Sequence, residues 1–182
     1  MIKMLTALSS WRTLVVLLVA YVVVFIALIS GADATADVLI LDLRFNYDVA
    51  TVYHVLTGLG EAGRADYRTN ALTLDILYPI IYSLTFSVVL TLLIDTEKLR
   101  SKLRLWVIAP FGIALADLVE NLCIAKLVSD YPKHNEVVAT LVSWATPVKW
   151  SIAVLVLASI VMLGIYRLVI RQNSACSHSR NR

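Results

Sequence analysis

Charge is what this chain has least of. Lysine, arginine, aspartate and glutamate make up 16% of its 182 residues, where an ordinary soluble domain carries about 25%. With 59% hydrophobic residues and a mean hydropathy of +0.79, this is the composition of a membrane protein rather than of a soluble one. Cysteine is scarce too. Cys123 lies in a hydrophobic stretch and Cys176 in a polar tail, which predicts neither a disulfide framework nor the closely spaced ligand pairs of a zinc site. The sequence has no glycine-rich phosphate loop, no GxSxG and no HExxH, so the commonest signatures of nucleotide, serine-hydrolase and metalloprotease chemistry are missing. A formal charge of +3 is modest, and nucleic acid is not an expected partner. No metal site and no particular cofactor is indicated.

Four apolar stretches remain, and they set the architecture. Residues 13–30 are almost unbroken hydrophobic. They match the roughly 20 residues that a helix needs to cross a hydrocarbon core. A cleaved signal peptide is the competing reading, but the run is longer than a usual signal core. The second span is expected at 71–94, with Pro79 inside it, and the third at 105–128. The fourth stretch, 137–170, holds 34 residues, about 51 Å of helix and too long for one crossing. Pro147 is expected to divide it into an interfacial turn at 137–146 and a span at 148–168. The tail from Arg171 is polar and is expected to be loose.

Residues 31–70 mix charges with apolar and aromatic side chains. This fits a partly helical cap lying on the bundle at the interface. Asp48 is placed to cap a helix from Val49 to Leu59. The fold class read from the sequence is therefore all-α: a four-helix transmembrane bundle with a small cap, forming one domain over residues 1–170.

Basic residues orient it. Lys3 and Arg12, then Lys98, Arg100, Lys102 and Arg104, then Arg167, Arg171, Arg180 and Arg182 fall on one side. That side is read as cytoplasmic, with both termini inside and the cap outside.

The chemically unusual stretch is Leu115–Leu122 in the third span. On a helix Asp117, Glu120 and Asn121 sit at i, i+3 and i+4 and share a face. Ionisable groups at such depth are costly and mark a functional hypothesis by default. Topology brings Asp75 and Lys149 to a similar level, with His54, Arg64 and Tyr67 above in the cap. Asp75, Asp117 and Glu120 are the candidate catalytic groups. Asn121, Lys149, Arg64, His54 and Tyr78 are the candidate substrate contacts, Lys149 and Arg64 serving an anion. A bland reading competes with this one: Lys149 pairs with Glu120 or Asp75 only to hold the helices in register.

Gly60-Glu61-Ala62-Gly63-Arg64 with Tyr67, Leu74-Asp75 with Tyr78-Pro79 and Tyr82, and Asp117 with Glu120-Asn121 together resemble a group of bacterial four-span integral membrane proteins of unassigned activity. The likeness covers roughly residues 40–150. It implies a bacterial inner membrane and this architecture, but no reaction. From the residues, the expected function is binding or transforming a lipid-like or amphiphilic molecule at a polar intramembrane site near the outer leaflet. An ion- or proton-conducting subunit is the alternative; it calls for a homo-oligomer, because one four-helix bundle makes a narrow pore. An accessory scaffold with a purely structural polar cluster is the third reading.

Overall fold

The computed structural model describes residues 2–30, 40–94 and 103–180, the last ten by their backbone alone. A short helix α1 (Ile2–Leu8) leads into α2 (Trp11–Ser30). After a 3-10 turn at Leu41–Leu43 come α3 (Val49–Gly58), α4 (Gly60–Leu72), α5 (Leu74–Leu93), α6 (Ala109–Asp130) and α7 (Glu136–Arg180). No strand occurs among the described residues. Four segments are long and apolar enough to cross a membrane: Trp11–Ser30, Gly60–Leu93, Trp106–Asp130 and Glu136–Ile170. The fold is an all-α, four-span bundle.

The side chains that remain uncovered say where lipid lies. Val15, Val16, Val19, Val22, Val23 and Ile26 on α2, and Val154, Leu155, Val161, Met162, Ile165 and Leu168 on α7, are large, apolar and exposed. An apolar surface this continuous suits hydrocarbon and not water. The closest packing is between α6 and α7, followed by α5 on α6 and α2 on α5. The polar interior is thus built by α5, α6 and α7, and α2 lies on the flank of α5.

The cap forms as its sequence dictates. The Asp48 carboxylate accepts from the Thr51 amide at 2.8 Å and from its hydroxyl at 2.6 Å, closing the first turn of α3. Helix α3 gives way to α4 at Gly60, whose φ of +64° is a left-handed conformation that only glycine adopts without strain. Thr73, at φ −124° and ψ −90°, breaks the backbone between α4 and α5. The cap is fastened to the α6–α7 turn by stacking of Tyr53 on His134, with ring centroids 3.8 Å apart. The Arg64 guanidinium adds to this, lying 4.1 Å above the Tyr131 ring.

Two expectations change. Pro147 does not divide the fourth stretch, since α7 runs unbroken from Glu136 to Arg180 with the proline inside it. A proline removes one backbone donor, and neighbouring helices in a membrane protein can support the turn it weakens. Here Tyr47 of the cap donates to the Val142 carbonyl at 3.2 Å, pinning that turn from outside. The segment from Arg171 continues as helix through Arg180 instead of forming a loose tail. Residues 31–39 of the cap and 95–102 of the basic loop, with Lys98, Arg100 and Lys102, lie outside the described residues.

Two apolar cores result. The cap-side core gathers Val52, Val55, Leu56 and Leu59 of α3 with Ile124 and Leu127 of α6 and Ala139 and Val142 of α7. The far-side core gathers Leu5, Tyr82, Leu90, Ile94, Val107, Ile113 and Val156. In the gap between them lie the buried polar side chains Glu120 and Asn121 of α6 and Thr146 and Lys149 of α7.

Candidate functional site: a buried ion-pair layer

Lys149 is the centre of the gap. It is 8% exposed, on a helix whose next turns face lipid. Its Nζ donates to Asp117 Oδ1 at 3.0 Å and also to Glu120 Oε2. The two acids are three residues apart on α6, so they present to α7 from successive turns and bracket one ammonium group. An unpaired lysine here would bear a large desolvation penalty, which two carboxylates offset.

Each acid is then held by a second donor. Thr146, three residues before Lys149 on the same face of α7, donates its hydroxyl to Glu120 Oε1. Tyr47 lies 2.7 Å from that threonine hydroxyl. Tyr82 of α5 donates to Asp117 Oδ2 at 3.0 Å. A continuous set of polar contacts therefore runs from Tyr82 through Asp117, Lys149, Glu120 and Thr146 to Tyr47. Glu120 is fully sealed, whereas the side chains of Lys149 and Asp117 retain 10% and 13% exposure. Asp75, at the start of α5, is half-buried and within electrostatic range of Asp117, Lys149 and Glu120. The layer is thus closed at Glu120 and opens toward Asp117 and Asp75.

The structure brings together Asp75, Asp117, Glu120, Asn121 and Lys149, though not all through their side chains. Asn121 turns to α5 and donates to the backbone carbonyl of Asp75 at 2.7 Å, acting as a strut between helices. Tyr78 joins through aromatic contact, edge-on to Tyr82 at 5.3 Å, while its hydroxyl donates to Tyr21 at 2.9 Å. Arg64 and His54 are not brought in. Arg64 donates to the Leu56 carbonyl at 2.9 Å and lies over Tyr131, so its charge serves the cap, not an anion at the layer. His54 is exposed on the outer face of α3.

Sequence reasoning missed Thr146 and Tyr47, and it gave Tyr82 no part in the site. Thr146 was findable, since i−3 from a membrane lysine is the position that shares its face. Asp42 was missed with no signal to find it. It comes from the 3-10 turn of the cap, and its Oδ1 is buried. Burial pushes the Asp42 carboxyl up to about 7 from an ordinary 3.8, against the pull of Lys149. Asp75 and Asp117 add to the rise, and the Tyr67 phenol moderates it.

Among the described residues no group of three or more His, Cys, Asp or Glu side chains is placed to hold a metal ion. Open recesses of about 670 and 600 Å³ lie beside the far-side core, at Lys3 and Arg104 and at Trp106 and Tyr166, not at the ion-pair layer. Fold and site define a four-span helical membrane protein with a charged layer roofed by a cap. No protein-family model, curated protein or solved structure matches the chain.

Lys149→Met should leave two buried carboxylates facing a thioether and cost about 3–5 kcal/mol of stability. Adding Asp117→Asn and Glu120→Gln should restore most of that loss. Thermal melting in detergent checks both, and a single variant as stable as the parent would refute the pairing. For Asp42, the folded state holds a proton more tightly than the unfolded chain between pH 3.8 and about 7. Ionisation thus costs folding stability, which should decline as pH rises through that window and stay at the lower level above it. Asp42→Asn should flatten the decline and melt higher than the parent at pH 8.

Proposed function

We propose that the protein binds a lipid-like or amphiphilic molecule, with the polar head at the Lys149 layer and the chain along the apolar helices. The observation that carries this reading is the one-sided exposure of the layer. Glu120 is sealed, and access widens through Lys149 and Asp117 to the half-buried Asp75. A layer that served only to hold helices in register has no need of an open side. In this role Asp117 and Asp75 meet the head, Glu120 fixes Lys149, and Tyr82 orients Asp117. The distribution of lysine and arginine supports cytoplasmic termini and a site in the outer half of the bilayer, and the resemblance to bacterial four-span membrane proteins supports an inner membrane.

Full-length protein in lipid nanodiscs, exposed to a photoactivatable alkyl-chain amphiphile, should be labelled saturably beside Asp75 and Asp117. Asp75→Asn and Tyr82→Phe, checked for an unchanged melting profile, should each reduce that labelling at least fivefold. Labelling spread evenly over the exposed faces of α2 and α7 would sink the reading.

A second reading has its own support. Hydroxyl, carboxylate and ammonium groups from Tyr82 to Tyr47 are in unbroken contact, and such a set can pass a proton along. Proton flux into liposomes, lost in Asp117→Asn, is its expected signature; tight liposomes under an imposed pH gradient would exclude it.

A further inference from the structure

Among the described residues, two buried polar atoms at the junction of cap and bundle have no hydrogen-bond partner: Oδ1 of Asp42 and the phenol oxygen of Tyr67. Tyr67 is 3% exposed, so water does not freely reach its hydroxyl. The two face each other closely enough for the phenol to favour the carboxylate, yet without closing a hydrogen bond. Tyr67 also lies within electrostatic range of Glu120 and Tyr47, and Asp42 within range of Lys149, Asp75 and Asp117. These orphan atoms therefore lie within electrostatic range of the ion-pair layer, on its cap side. Buried polar groups are almost always partnered, and two neighbouring atoms that are not can each take a donor from a further group.

The charge around them says what that group is. Four carboxyl groups, Asp42, Asp75, Asp117 and Glu120, surround one ammonium, Lys149. Lys149 is already committed to two of them. Arg64, the other cation expected here, is occupied at Leu56 and Tyr131. An anionic head entering this site would meet four acids and a lysine already paired to two of them. A donor-bearing head would supply the missing hydrogen bonds, and a positive charge on it would be favoured by the surrounding acids.

We propose that Asp42 and Tyr67 form, with Asp75 and Asp117, a subsite for the hydrogen-bond-donating head of the bound amphiphile, and that an ammonium head is preferred over a carboxylate or phosphate. This rests on the amphiphile-binding reading above and fixes the chemical class of its ligand. Asp42 and Tyr67 each accept a donor from the head, and the remaining acids supply the field. The cap is then part of the site and not merely a cover.

The test uses competition against the photoactivatable probe in nanodiscs at pH 7, with dodecylamine, dodecanol and dodecanoate as competitors of equal chain length. The amine should displace the probe at a concentration at least tenfold below that needed for the carboxylate, with the alcohol between them. Tyr67→Phe and Asp42→Asn, both near-isosteric and both checked by melting, should reduce the amine's advantage to less than threefold. A carboxylate that competes as well as the amine overturns the proposal while leaving amphiphile binding intact. So does an amine preference that survives both substitutions. Probe labelling that no competitor displaces removes the binding reading itself.

Discussion

The bracketing of Lys149 by Asp117 and Glu120 is the interaction on which the rest of the interior depends. It lies between two apolar cores, and each of its members would be unaffordable there alone. Once the three are paired, the rotation of α6 about its axis is constrained: Asp117 and Glu120 must look at α7. Asn121, one residue on, then looks at α5 and reaches the Asp75 carbonyl. A single ion-pair arrangement thereby sets the faces of three helices. In a membrane this is a stronger determinant than apolarity, because hydrocarbon is as good a neighbour for leucine as another helix is.

The cap is tied to that arrangement at several points. Tyr47 reaches Thr146 and the Val142 carbonyl on α7. Asp42 and Tyr67 lie within electrostatic range of the layer, and the aromatic contacts of Tyr53 and Arg64 hold the rim at the α6–α7 turn. The rim contacts fasten the cap, while Asp42 and Tyr67 bring unpaired polar atoms to a place already rich in acid. Such atoms add nothing to the hold of the cap on the bundle.

The flanking helix α2 has a different standing. It meets the bundle chiefly along α5, and among the described residues its polar contact with the interior is the bond between Tyr21 and Tyr78. Its apolar surface is mostly exposed. A helix held so lightly is compatible with a site whose open side lies near α5, because few polar contacts would have to yield for a chain to lie beside it.

How much of this was legible without coordinates follows from what hydrophobicity can and cannot encode. Long apolar runs located the crossings, the N-cap at Asp48 located α3, and the spacing of Asp117, Glu120 and Asn121 put three polar groups on one side of α6. Matching depth was enough to suggest that Asp75 and Lys149 join them. The sequence by itself determined the all-α class, the number of apolar spans and the level of the polar layer, because each follows from local periodicity and length. Only the tertiary structure decided that Glu120 faces Lys149 while Asn121 faces α5, that Arg64 serves Tyr131, that Pro147 leaves α7 whole, and that Asp42 enters the site. Those outcomes depend on helix rotation and on a turn folding back over the bundle, and spans that are apolar on every side carry no local signal for either.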